Sequence, residues 1–337
     1  RLESGEIAVT SSWARVSFAS PYVHPIVIAG PPSATDISPC TVQIRNVTSE
    51  GFDIRLAQWP YQDGVHGQEF VSYLVLEQGR TVLADGSVIE AGSFTGSSKL
   101  KWIPFAPPFA STPVVLTSVV SVNESAAVAG RLLPLGKWGF IYFLQKQESN
   151  ASTKHGGETV HYVAWEPGSG VAGTLHYEAF TTGLSVDHLW TDIALRSTFE
   201  QPPILLARMQ TMAELDTANL RLREVHASGF QTRIQEEQSL DDELEHKLEK
   251  VGYLALSQAS TMRLATFSWE FDKEEESAIG GFRLLVNGQA LCTTNDVTAR
   301  SLTCKLAGSS QPQTFTLEAM SLNNEASDPS NSIVYQP

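Results

Sequence analysis

The chain has 337 residues, with 37 acidic and 23 basic side chains and a formal net charge of −14. Charge of this sign repels phosphate backbones and anionic lipid headgroups, so we expect neither nucleic acid nor a membrane surface as a partner. The chain has no apolar run of about eighteen residues, so we expect no membrane insertion.

The chain reads as β-structure from end to end. Short runs rich in Val, Ile, Phe and Tyr alternate with polar residues, and Gly, Pro, Asn or Ser interrupt them at about 8 to 12 residues. That spacing is typical of sandwich strands. Because 337 residues exceed one compact domain, the sequence predicts an all-β protein of several domains.

Four markers recur with one period along the first three quarters of the chain. They are a proline-led apolar strand, a strand with a polar or basic residue, a Gly-Phe pair that opens the next strand, and a closing strand centred on tyrosine. The phenylalanines of the pairs are Phe52, Phe140 and Phe230, and the tyrosines are Tyr73, Tyr162 and Tyr253. Steps of 88 to 91 residues predict three homologous β-domains, at residues 1–80, 81–168 and 169–258.

Residues 259–337 differ in character and contain five strand-like runs, with Trp269 in the first. This part resembles a fibronectin type III or related immunoglobulin-like sandwich, which implies a tryptophan in the core between two sheets and the role of a spacer. Cys292 and Cys304 flank a polar stretch that could let neighbouring strands face each other, so we predict a disulfide. A disulfide favours an oxidising compartment, and we therefore expect a secreted or cell-surface protein.

The first repeat resembles the H-type lectin domain of snail agglutinins and of the discoidin C-terminal region. The shared features are an opening SGEI, the strand with Trp13, the FASPY stretch with a proline before the second strand, the NVTSEGF turn, and Trp59 seven residues beyond Phe52. The resemblance implies six-stranded antiparallel sandwiches that form a three-fold ring. It also implies binding of galactose-type or N-acetylgalactosamine-type sugars at subunit interfaces, without metal or cofactor.

Three tandem copies therefore predict a pseudo-trimeric ring built within one chain. Covalent linkage raises the effective concentration of the copies for one another, so weak interfaces could persist. The alternative is an extended rod of separate sandwiches.

The resemblance also implies a composite sugar site. In the family, an arginine nine residues before the Gly-Phe aromatic meets the sugar, and the tryptophan after the turn packs against its ring. Arg131 and Arg221 match the arginine, where the first repeat has Gln43, and only the first repeat has the tryptophan. The predicted carbohydrate-binding residues are Trp59, Tyr61, His66, Arg131 and Arg221. Alternatively, Trp59 packs in a contact between copies and the arginines form ion pairs.

Two further stretches contain residues of the kinds that form metal sites or interaction helices. The stretch KHGGETVH brings together His155, Glu158 and His161, but its spacing is not HExxH, and we interpret it as an exposed loop. In residues 236–250, leucines recur every four residues, which predicts a short amphipathic helix. Phosphate loops, nucleophile elbows and CxxC motifs are absent, so we expect a protein that is not an enzyme.

The leading hypothesis is a non-catalytic extracellular lectin or adhesion protein that binds glycans. The main alternative is a structural protein that self-assembles, or assembles with other surface proteins, into a filament, fibre or surface layer. A lectin gains avidity by repeating its site, and this chain does not repeat its site, which favours the alternative. A non-catalytic module of a larger glycan-degrading enzyme is a third possibility.

Overall fold

The computed structural model describes residues 1–62, 64–257, 263–306, 313–323, 325–330 and 332–335. Almost all of its regular structure is antiparallel β-strand, so the predicted all-β class is confirmed. The chain forms two compact units, Arg1–Ala259 and Ser260–Pro337. Within the described ranges, no helix is long and apolar enough to span a bilayer.

The strands of the first unit fall into three groups, which we call the first, second and third segments. The first segment contains β1 (Leu2–Val9), β2 (Ala14–Ser17), β3 (Pro25–Pro32), β4 (Cys40–Thr48), β5 (Gly51–Gln58) and β6 (Glu69–Glu77). The second contains β7 (Gly79–Val82), β8 (Val88–Gly96), β9 (Lys101–Pro104), β10 (Val114–Val119), β11 (Ala129–Gly136), β12 (Gly139–Gln145) and β13 (Glu158–Trp165). The third contains β14 (Gly168–Ala172), β15 (Leu175–Thr181), β16 (Thr191–Ala194), β17 (Ile204–Met209), β18 (Ala218–His226), β19 (Gly229–Glu236) and β20 (Val251–Leu256).

One strand order recurs in the three segments. The first segment pairs a sheet ordered β1-β6-β3 with a sheet ordered β2-β5-β4. The second repeats this order as β8-β13-β10 and β9-β12-β11, and the third as β15-β20-β17 and β16-β19-β18. The edge strands β7 and β14 extend the first of these sheets, and the predicted domain boundaries at 80/81 and 168/169 fall inside them. The predicted boundary at 258/259 lies outside the described residues.

The central strands β6, β13 and β20 are buried on both faces because alternate side chains enter different cores. In β20, Val251, Tyr253 and Ala255 belong to the third segment's own sandwich core. Leu254 and Leu256 instead join an apolar cluster to which all three segments contribute. In order of segment, the members of this shared cluster are Ile26, Ile28, Leu74 and Leu76; Ile89, Ala91, Val114, Leu116, Val163 and Trp165; and Ala172, Tyr177, Ala179, Ile204, Leu206, Leu254 and Leu256.

Backbone groups of each segment also bond to a side chain of another. The Val27 amide donates to His161 Nδ1 at 3.0 Å, from the first segment to the second. The Val115 amide donates to Gln210 Oε1 at 2.9 Å, from the second to the third. The Leu205 amide donates to Ser72 Oγ at 3.3 Å, from the third back to the first. The three donors occupy matching places in β3, β10 and β17, so the contacts form a closed cycle.

The predicted helix in residues 236–250 is wrong. Beyond the end of β19 at Glu236, these residues are irregular apart from a single bridge between Glu249 and Val186. Leu240, Leu244 and Leu248 are exposed and therefore do not form the apolar stripe that stabilises an amphipathic helix. The segment is held instead by the buried polar groups of His246 and Glu249.

The second unit contains β21 (Arg263–Ser268), β22 (Ile279–Val286), β23 (Gln289–Thr294), β24 (Ser301–Leu306), β25 (Gln313–Ser321) and β26 (Ile333–Tyr335). The strands form sheets ordered β21-β24 and β23-β22-β25-β26. Trp269 follows β21, and its ring lies 5.0 Å from that of Phe282. A disulfide joins Cys292 to Cys304, which have Cα atoms 6.0 Å apart.

Candidate functional site

A histidine held between two carboxylates recurs at the same place in each segment. The sequence signal is His-x-x-Glu, at steps of 89 and 91 residues, with an acidic residue about thirty residues upstream. We call these groups the acid–histidine–acid clusters, and their members are Asp36, His66 and Glu69; Glu124, His155 and Glu158; and Glu214, His246 and Glu249. The histidines and the second carboxylates are buried in all three clusters.

In the first cluster, His66 Nε2 lies 3.3 Å from Glu69 Oε1 and His66 Nδ1 lies 3.9 Å from Asp36 Oδ2. Burial opposes the charged imidazolium, but hydrogen bonds to Cys40 and Glu69 and the charge of Asp36 outweigh it and raise the His66 pKa to about 9. Burial likewise raises the pKa of Glu69, but hydrogen bonds, first from His66 and Ser33, lower it to about 2. The cluster is therefore a charged pair at neutral pH.

The other two clusters repeat this geometry. His155 lies 3.3 Å from Glu124 and 3.2 Å from Glu158. His246 lies 3.6 Å from Glu214 and 3.4 Å from Glu249, and it also bonds to Glu236. Burial opposes the charge of His246, but the two hydrogen-bonded glutamates raise its pKa to about 9. The interpretation of KHGGETVH as an exposed loop is thus wrong, because His155, Glu158 and His161 are all buried.

Arg131 and Arg221 bind clusters of a neighbouring segment. Arg221, from the third segment, pairs with Glu69 and donates to the Ser33, Asp36 and Ser38 carbonyl oxygens of the first segment. Arg131, from the second, lies 3.0 Å from Glu249 of the third. Only 1% of Arg131 and 0% of Arg221 is exposed, so neither guanidinium faces solvent.

The first segment lacks this arginine. Gln43 occupies the place, and its Oε1 accepts a hydrogen bond from Arg55 Nε at 3.0 Å. An ion pair between an arginine and a cluster glutamate therefore joins the third segment to the first and the second segment to the third. The matching position toward Glu158 has a neutral side chain.

Trp59 lies at a contact between segments rather than on the surface. Its side chain is 2% exposed and packs with Ala57 of its own segment and with Ala127 and Ala129 of the second. Tyr61 is 42% exposed, and its hydroxyl accepts a hydrogen bond from the Gln238 amide of the third segment at 3.0 Å. The tryptophan therefore has no open face on which a sugar ring could stack.

The structure brings together part of the predicted carbohydrate site. Arg221 and His66 meet through Glu69, while Arg131 belongs to a separate cluster with His246. Trp59 is buried in a contact between segments and Arg131 and Arg221 are buried in ion pairs, as the alternative interpretation predicts, and His66 is buried within its own cluster. Sugar binding by these residues stays a prediction.

Among the described residues, one set has metal-ligand character. Glu214, Glu236 and His246 place one candidate ligand atom each within 4.8 Å of one another. The matching place to Glu236 holds Gln58 in the first segment and Lys146 in the second, so this acid is particular to the third. His246 is shared between Glu236 and Glu249, which raise its pKa, so a metal ion that bound here would have to displace a proton from the ring.

No family model matches the chain. The chain is 33% identical over 273 residues to Halomucin of Haloquadratum walsbyi (strain DSM 16790 / HBSQ001). The matched region covers 77% of this chain but only 3% of Halomucin, so the chain spans a small part of the relative that it resembles.

Proposed function

We propose that this chain belongs to a secreted or cell-surface adhesion protein that binds glycans without catalysis. Its first unit is a body of three H-type-lectin-like sandwiches arranged around a pseudo-three-fold axis, and its second unit is a fibronectin-like spacer. The name of the relative denotes a mucin, which supports an extracellular setting for this chain as well. The repeated pair of three-stranded sheets supports the resemblance to lectins.

The cycle of contacts between segments is the observation that supports the pseudo-trimer most strongly. Three matching amides each bond to a side chain of another segment, and apolar residues of all three segments form one cluster. An extended rod has no contact between its first and third sandwiches. Arg221 of the third segment and Glu69 of the first make such a contact.

A structural or assembly role is the second candidate. It is favoured by the burial of Arg131 and Arg221 in ion pairs between segments, because those arginines fasten the body together instead of facing a ligand. In this case the chain is a building block of a filament or surface layer, and glycan binding is absent.

Binding of the whole chain to a glycan array separates the two candidates. The array should include galactose-type, N-acetylgalactosamine-type and acidic glycans. We expect the chain to bind a subset of these glycans. Absence of binding to every glycan would remove the adhesion proposal. Ordered polymers in electron micrographs of the same preparation would then support the structural role.

A further inference from the structure

A small cavity lies where β3, β10 and β17 come together. Its volume is about 60 Å³, and residues of all three segments line it. Of the described residues in its wall, Arg208 is the only one with a charged side chain. A cavity of this size has room for a few water molecules or a small ion, whereas pockets for organic ligands are commonly about 300 to 1,000 Å³. The cavity is therefore too small for a glycan.

Arg208 has no equivalent in the other two segments. It follows the strand residue that pairs with the closing-strand tyrosine, and that place holds Gly30 in the first segment and Ser118 in the second. The place lies two residues after an apolar side chain that each strand contributes to the shared cluster, and it therefore faces the other segments. Because glycine has no side chain and serine a short one, space is left between the segments for Arg208 and for the cavity beside it.

No acid compensates the charge of Arg208. Within the part of the chain that the structure describes, its guanidinium pairs with no carboxylate, and its side chain donates one hydrogen bond, from Nη2 to the Gly130 carbonyl oxygen. Its Nε is buried and has no partner there. An arginine keeps its proton in proteins, and a buried charge without a counter-ion is costly in free energy. Burial accordingly lowers the Arg208 pKa.

Two hydroxyl groups near Arg208 also lack a hydrogen-bond partner. They belong to Thr117, which lines the cavity, and to Tyr142, and both are buried without a partner among the residues described. A β-carbon on Gly130 would clash with both the Tyr142 hydroxyl and an Arg208 nitrogen, so these two groups meet over Gly130. Guanidinium and hydroxyl groups are hydrogen-bond donors, and hydrogen bonds from them to an anion are stronger than those to a neutral acceptor.

We infer that this cavity binds one small inorganic anion, of the size of chloride, between the three segments. The anion lies against the Arg208 guanidinium, accepts a hydrogen bond from the Thr117 hydroxyl and supplies the negative charge that the surrounding residues do not. A water molecule would fill the same space but leave the charge of Arg208 uncompensated. The inference is independent of the proposed glycan binding, because the anion acts on the packing of the three segments.

Urea unfolding of the whole chain at several chloride concentrations tests the inference. Chloride is exchanged for gluconate at constant ionic strength, so that the general screening of charges stays the same while the second anion is too large for the cavity. Tryptophan fluorescence follows the first unit, which has six of the seven tryptophans. An anion that binds only the folded chain lowers the unfolding equilibrium constant about tenfold for each tenfold rise in chloride above its dissociation constant, and we expect this dependence. An unfolding constant that is the same at every chloride concentration would overturn the inference.

Two arginine variants separate binding in the cavity from general charge effects. Arg208→Met removes the charge in the cavity wall, and we expect its unfolding constant to be independent of chloride. The matched control is Arg223→Met, which removes an exposed arginine of the same segment and changes the net charge equally. It should retain the dependence of the wild type. A dependence that Arg208→Met retains, or that Arg223→Met loses, would assign the effect to general charge screening and overturn the inference.

Anomalous scattering from crystals of the whole chain grown in bromide locates the anion directly and requires no variant to fold. We expect one anomalous peak in the cavity, within hydrogen-bond distance of the Arg208 side chain. Water density without an anomalous signal would overturn the inference. A peak together with a stability that does not depend on chloride would mean binding at crystal concentration only, and would overturn it as well.

Discussion

His161 links the first two segments through one nitrogen of its ring. Its Nδ1 accepts the Val27 amide hydrogen, so the bond requires that this nitrogen carry no proton. Burial lowers the His161 pKa to about 4, from an ordinary value of about 6.5. Because the folded-state pKa is lowered, the contribution of His161 to stability is complete above about pH 6.5 and is lost as the pH falls toward 4.

Replacing His161 by asparagine tests this coupling. The asparagine amide oxygen keeps an acceptor but does not titrate. We expect the wild type to lose roughly 3 kcal/mol of unfolding free energy from this group between about pH 6.5 and 4. The variant should lack that part of the pH dependence in urea titrations. Identical pH profiles for the two proteins would contradict the assignment.

Arg131 offers a second prediction at the residue scale. Its removal in Arg131→Met leaves the buried Glu249 without the cation of the neighbouring segment. Breaking a buried ion pair from one side costs about 3 to 5 kcal/mol, and we expect a loss of that size in urea unfolding. Gln43→Met changes the matching position of the first segment, which has no ion pair, and should cost only about 1 kcal/mol. Equal losses would argue against a fastening role for Arg131.

The predicted site residues illustrate what sequence reasoning can and cannot reach. The match of Arg131 and Arg221 to the arginine of the lectin family could be predicted from the sequence, because it depends only on a short spacing from the Gly-Phe pair. Their burial could not, because it depends on Glu249 and Glu69, which lie more than one hundred residues away in sequence. The repeat of His-x-x-Glu was the signal in the sequence that pointed to Glu69 and Glu249. A histidine three residues before a glutamate recurs with the same step as the other markers.

At the scale of elements, the strands followed closely from their pattern. Alternation of apolar and polar residues marks β5 and β19, whereas β12 is apolar on both faces, and the Gly-Phe pair opens all three strands. The central strands are continuously apolar because both faces are covered, as in β20. The helix prediction for residues 236–250 was wrong. Leucines at a spacing of four stabilise a helix only when they are buried against a core, whereas Leu240, Leu244 and Leu248 face solvent.

A pair of leucine substitutions checks this contrast. Leu254, in β20, is 0% exposed and lies in the shared apolar cluster, whereas Leu244 is 56% exposed. We expect Leu254→Ala to cost about 2 to 5 kcal/mol of unfolding free energy. Leu244→Ala should change it by less than about 0.5 kcal/mol. A large loss from the Leu244 substitution would mean that the irregular segment packs on a core.

At the scale of the molecule, the three segments share one fold but differ in the residues at matching places. The first and third have arginine-covered tryptophans, Trp13 and Trp190, and the second has the exposed Leu100 at the matching place. The third alone has the additional acid Glu236 beside its cluster histidine. Segments that pack into one body stabilise one another through their contacts. The surface residues of each segment can therefore change independently of those of the other two. This explains why a site on one segment need not be repeated on the others.

Small-angle scattering from residues 1–257 tests the central claim, that the three segments pack into one body, most directly. A compact body of this length has a radius of gyration of about 18 Å, and we predict that value with a single-peaked, near-symmetric distance distribution. A much larger radius with the distance distribution of a rod would contradict the account. The lectin-like and the structural proposals for the first unit would then both lose their foundation.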